Sequence, residues 1–116
     1  MNICTIGSGS WGIALSMLLF DNKHNVKIWS RNDNEVEEIN NKHTSARYLP
    51  GVIIPSQIKA TKDVEGALKD SEIVILAVPS TAIRQCSSMI AKYLKNQIVV
   101  NVAKGLEAGT LKRLSE

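Results

Sequence analysis

Gly7-Ser8-Gly9-Ser10-Trp11-Gly12 has the spacing Gly-x-Gly-x-x-Gly. The chemistry open to such a turn is anion binding by the main chain. It follows the apolar strand candidate Ile3-Cys4-Thr5-Ile6 and precedes the apolar helix candidate Ile13 to Phe20, the context in which the pattern implies a dinucleotide. Gly7 lets the backbone turn out of the strand, Gly9 leaves room for a pyrophosphate, and Gly12 lets the helix pack close to the strand. The unpaired N–H groups and the positive dipole end at the helix start attract phosphates without any cationic side chain.

Other candidate residues lie where strands end. Arg31 follows the second strand candidate, Val26 to Trp29, 19 positions after Gly12, and no Asp or Glu precedes Asp33 there. An acidic residue at this place would take a ribose 2′-hydroxyl, whereas arginine can pair with a 2′-phosphate, so NADP is favoured over NAD. Arginine can also stack on adenine without selecting the phosphate. Pro79 closes the fourth strand candidate, Ile73 to Val78, and Lys104 follows the fifth, Ile98 to Val102. A lysine ending a buried central strand would stand where a substrate meets the nicotinamide; its plainer use is as a solvated strand-end charge. Cys4 and Cys86 lie in apolar patterns without metal-ligand spacing and read as buried free thiols. No metal site is expected, and His24 and His43, among polar residues, read as solvated.

The elements that must position these groups alternate. Asn32 and Glu35 have capping-box spacing at the start of a helix with an acidic, solvated face. Residues 41–57 read as an irregular loop over a ligand, with Pro50-Gly51 as turn chemistry. Gln57 to Thr61 is a weak edge strand, and Thr61 or Asp63 caps a short helix carrying Val64, Ala67 and Leu68. A helix capped by Ser80 or Thr81 carries the stripe Ile83, Cys86, Ile90, Tyr93 and Leu94. A further fragment starts near Thr110-Leu111. Five strands alternating with helices imply an α/β fold: a doubly wound, mostly parallel sheet of Rossmann type, ordered 3-2-1-4-5, with helices on both faces.

At 116 residues and 44% hydrophobic, one domain is expected. The 14 basic residues against 11 acidic ones are scattered, which argues against a nucleic-acid partner. The apolar runs are too short for membrane insertion and no basic leader precedes the first, so a cytoplasmic location is expected. The first helix is apolar all round, which suggests that something beyond this chain covers it.

Four segments together carry a family resemblance: the glycine turn with its tryptophan, Arg47-Tyr48-Leu49-Pro50-Gly51, Ala77-Val78-Pro79-Ser80 and Ala103-Lys104-Gly105-Leu106-Glu107. In order and spacing they resemble the bacterial NAD(P)-dependent glycerol-3-phosphate dehydrogenases. The resemblance implies interconversion of sn-glycerol 3-phosphate and dihydroxyacetone phosphate, in service of glycerophospholipid synthesis. It implies Ser10, Trp11 and Arg31 as cofactor contacts, Tyr48 as a cofactor neighbour, and Lys104 as a contact to cofactor and substrate. Ile13 departs from the threonine often found there. The resemblance further implies that residues 1–116 are an N-terminal cofactor-binding fragment, expected to be inactive alone. A helical C-terminal domain would bring the catalytic lysine and most of the substrate pocket, with a homodimer left open for the full-length enzyme. Two other readings stay open: the cofactor domain of a different two-domain hydroxy-acid or sugar-acid dehydrogenase, and a non-catalytic nucleotide-binding module.

Overall fold

The sheet is built around β1 (Asn2–Ile6), whose residues 3–6 are all buried. In the computed structural model, which describes residues 1–7, 9–45, 50–78 and 80–102, β1 pairs in parallel with β2 (Asn25–Trp29) and β4 (Ile73–Leu76). β3 (Lys59–Thr61) adds beside β2 and β5 (Ile98–Asn101) beside β4. The result is one five-stranded parallel sheet ordered β3-β2-β1-β4-β5, the Rossmann-type arrangement expected from the sequence.

Alternation along the strands sends side chains into two apolar layers. Val26, Ile28 and Ala60 pack with Ile13 of α1 (Ser10–Asp21) and Ile39 of α2 (Asp33–Lys42). On the other face Cys4, Ile6, Trp29, Val74 and Leu76 pack with Leu68 of α3 (Val64–Lys69) and with Cys86 and Ile90 of α4 (Ser80–Ala91). Both cysteines are buried free thiols, as expected.

Asn32 caps α2, its Oδ1 accepting from the Asn34 and Glu35 N–H groups at 2.9 and 3.2 Å. Ser30 takes up the other half of the capping box. The Asn32 N–H donates to Ser30 Oγ, and that hydroxyl donates to Glu35. The acidic face of α2 is therefore only partly solvated, since Glu38 also accepts from Thr44 Oγ1 at 2.7 Å. Asn40 closes the outer edge of β3: its side-chain amide accepts from the Ala60 N–H at 2.8 Å and donates to the Ala60 carbonyl at 2.9 Å. A side chain thus does what another strand would do, and the edge is blunted.

Several boundaries differ from expectation. α1 begins at Ser10 instead of Ile13, because Gly9 serves as its N-cap and the Ile13 N–H already bonds to the Gly9 carbonyl at 3.0 Å. α4 ends at Ala91, and Tyr93, placed on its buried stripe by spacing, is 38% exposed. The described part of the long loop sends Ile54 into the core: its neighbour Ile53 stays exposed, but Ile54 is 1% exposed and its N–H donates to the His43 carbonyl at 2.7 Å. Its burial follows from apolar content that a turn-based reading passes over. His43 closes α2 in the left-handed conformation, with φ 57°. It and His24 are half-buried, and the Nδ1 of each is shielded without a partner among the described residues, so neither is the fully solvated ring expected. Among the described residues β5 pairs with β4 alone and is exposed along its length, with Ile98 62% exposed, so it is not the buried central strand on which the reading of Lys104 leaned. A short apolar run looks the same at an edge as at the centre. Lys104 itself, like Tyr48, Pro79, Ser8 and the fragment near Thr110, lies outside the described residues.

Candidate nucleotide-binding site

The first strand runs straight into the glycine turn, and the Gly7 N–H donates to the Trp29 carbonyl at 2.9 Å, tying the turn to the end of β2. Gly7 has φ +126°, a conformation L side chains rarely adopt, and a Cβ there would stand 2.5 Å from the Ala77 carbonyl oxygen. At Gly12 a Cβ would meet the Gly7 oxygen at 2.7 Å, so the first turn of α1 presses on the strand end as its spacing implied. Gly9 differs from both. Its φ is an ordinary −70° and a Cβ there would find nothing within 4 Å among the described residues. The two outer glycines are demanded by packing, whereas the middle one faces open space.

That open space lies at a helix start without a side-chain cap, because a glycine N-cap has no oxygen to accept from the first-turn N–H groups. Donors of this kind, at the positive end of a helix dipole and beside room for a bulky group, suit a phosphate. Ser10 is exposed on this turn, and Trp11 is half-buried with its indole N–H shielded and unpartnered among the described residues. A shielded donor without an acceptor is costly unless water or a ligand completes it. The residues present therefore fit the phosphate-bearing half of a dinucleotide.

α1 is held in place by two hydroxyls that the sequence reading did not single out. Ser16 Oγ lies 2.9 Å from Thr5 Oγ1 of β1 and 2.8 Å from the Gly12 carbonyl, and both residues are fully buried. The available signal was a lone serine within an apolar helix, facing a lone threonine in an apolar strand.

The ends of β1, β2 and β4 meet at the same edge of the sheet, where the Ala77 N–H continues β4 by donating to the Ile6 carbonyl at 2.9 Å. Arg31, just beyond β2, is exposed and reaches across to α4. Its guanidinium donates to Gln85 Oε1 at 3.3 Å and approaches Cys86 Sγ at 3.8 Å. Among the described residues two of its five N–H donors are thereby engaged and three are not. Gly7, Gly9, Ser10, Trp11, Gly12 and Arg31 thus share the carboxyl edge, where ligands of open α/β sheets bind. A cleft of about 270 Å³ lined by Asn2, Asn25, Lys59 and Asp70 lies at the opposite, amino edge. No group of three or more His, Cys, Asp or Glu that could hold a metal occurs among the described residues, and no described helix is long and apolar enough to cross a membrane.

Residues 2–116 match the family model described as the N-terminus of NAD-dependent glycerol-3-phosphate dehydrogenase. The glycerol-3-phosphate dehydrogenase [NAD(P)+] of Enterococcus faecalis is 44% identical over 115 residues, covering 98% of this chain and 34% of that protein. The enzyme of the same name from Clostridium acetobutylicum is 49% identical over 112 residues, covering 96% of this chain and again 34% of the relative. The chain therefore spans about a third of the length of the curated relatives it matches. The crystal structure of glycerol-3-phosphate dehydrogenase from Coxiella burnetii superposes with a TM-score of 0.81 at 27% identity, over 86% of this chain and 31% of that one. With the glycine turn, the parallel sheet and this match in agreement, the chain belongs to the family of N-terminal domains of NAD-dependent glycerol-3-phosphate dehydrogenases.

Proposed function

We propose that residues 1–116 form the N-terminal cofactor-binding domain of an oxidoreductase that interconverts sn-glycerol 3-phosphate and dihydroxyacetone phosphate, supplying glycerophospholipid synthesis in the cytoplasm. The observation that carries this reading is the open space at Gly9, set at an uncapped helix start between two glycines that packing demands. Family membership favours this substrate pair over a hydroxy acid or sugar acid, and favours an enzyme over a bare nucleotide-binding module.

In this proposal the pyrophosphate rests on the main chain at Gly9, Ser10 and Trp11, with Gly7 and Gly12 shaping the turn. Arg31 addresses the adenosine end, and its three unengaged donors support NADP over NAD. Tyr48 and Pro79 would be further contacts to the cofactor. When bound, a nicotinamide would supply the hydride chemistry at C2 of the substrate. Lys104 contacts cofactor and substrate and polarises the reacting oxygen, while the lysine that moves the proton comes from the remainder of the enzyme. The full-length enzyme is proposed to be a homodimer.

Assays of the full-length protein with dihydroxyacetone phosphate and either NADPH or NADH test the reading. The expected outcome is oxidation of the nucleotide with formation of sn-glycerol 3-phosphate, faster at equal low concentrations with NADPH. Turnover of hydroxy acids in its place would sink it.

A further inference from the structure

A second cation, Lys62, follows the strand next to the one that leads into Arg31. Trp29 of β2 is in register with Thr61 of β3, and the Ser30 N–H donates to the Thr61 carbonyl at 3.0 Å, so Lys62 lies one strand spacing from the turn that carries Arg31. The Trp29 indole N–H fixes the backbone there by donating to the Lys62 carbonyl at 2.9 Å. The Lys62 side chain then crosses to Asp33, two residues beyond Arg31, with Nζ 2.8 Å from Oδ1. Asp33 is also the first acidic residue after β2.

Given the nucleotide reading of the site, on which this rests, we infer that Lys62 and Asp33 form an exchangeable pair that lets one site take both forms of the cofactor. When the ribose carries a 2′-phosphate, Lys62 leaves Asp33 and pairs with the phosphate together with Arg31. When the ribose carries a 2′-hydroxyl, Lys62 stays on Asp33 and neutralises a carboxylate that would otherwise repel the neighbouring phosphates. The side chains of Lys62 and Asp33 are 50% and 75% exposed, and an ion pair that wet holds its partners weakly. A phosphate near two negative charges offers Lys62 a stronger partner than one carboxylate does. The surrounding turn does not have to move. Ser30 is buried and bonded to Asn32 and Glu35, and Asn32 caps α2, so only the long lysine side chain changes place.

The test is titration of the full-length protein and its variants with NADPH and NADH, followed by nicotinamide fluorescence, with circular dichroism to verify folding. Lys62→Ala should raise the NADPH Kd about fivefold and the NADH Kd less than twofold, and Lys62→Arg should restore NADPH binding. Asp33→Asn, which frees the lysine and removes a negative charge, should tighten NADPH about threefold. The NADPH preference of the wild type should shrink as salt is raised. Equal effects of Lys62→Ala on both nucleotides, or no effect on either, would overturn the inference while leaving the nucleotide site standing. Failure of the wild-type protein to bind either nucleotide would overturn both.

Discussion

A side chain at Gly9 and one at Gly7 have different consequences. Gly9→Val meets open space at an ordinary φ, so the thermal midpoint should move little while NADPH binding, measured by calorimetry on the full-length protein, is lost. Gly7→Ala forces φ +126° on an alanine and drives its Cβ onto the Ala77 carbonyl, which should destabilise the fold by about 2–3 kcal/mol in urea unfolding. Comparable unfolding in both variants would show that Gly9 is structural. Cys4 supplies a pH signature. Burial pushes its thiol up from 9.0 to about 12, against a smaller lowering by Lys27. The unfolded chain ionises this thiol near pH 9.0 and the folded chain does not until about 12, so stability from Cys4 is intact below 9.0 and falls between the two values. Cys4→Ala should therefore lose less stability than wild type when denaturant midpoints are compared between pH 8 and pH 11. At this scale the positions of the glycine turn and Arg31, just past β1 and β2, were legible because they follow from local sequence. Lys62 and Gln85 were not, since each meets its partner only through strand order or across the sheet edge.

Elements are joined by few but well-placed polar contacts. Ser16 and Thr5 tie α1 to β1 in a fully buried spot, and because one hydroxyl proton serves one acceptor at a time, Ser16 and Thr5 depend on each other for satisfaction. Ser16→Ala should cost about 1–3 kcal/mol in denaturant unfolding by stranding the Thr5 hydroxyl. Adding Thr5→Val should recover part of that loss, since an apolar pair of similar shape leaves nothing unsatisfied. A double variant no better than the sum of the singles would mean that the two hydroxyls act independently. Strand and helix identities were readable from period and caps, as Asn32 at α2 and the apolar run of β4 illustrate. Boundaries were harder to read. Gly9 as an N-cap lengthened α1 backwards, and Ile54 of the supposed open loop joined the core, because burial there is decided by what α2 and β3 leave uncovered.

For the whole molecule, strand order was legible because alternation and handedness leave few topologies, and that order already set β5 at an edge, against the buried position its apolar run suggested. The same strand order governs how the site comes into being. β1 meets β2 across 23 residues of chain, as in the Asn25–Asn2 contact, but meets the β4 region across 70, as in the Asn2–Glu72 contact. Closing the longer loop costs about 1 kcal/mol more in chain entropy, so the β1–β2 pairing should precede the β1–β4 pairing. The glycine turn sits against Ala77, just past β4, and cannot take its final shape until that late pairing is made. A nucleotide would then find no site in the folding transition state, and saturating NADPH should slow unfolding in stopped-flow measurements while leaving the refolding rate unchanged. On a ribosome the same ordering keeps the glycine turn from its final shape until Ala77 and the strand before it have emerged.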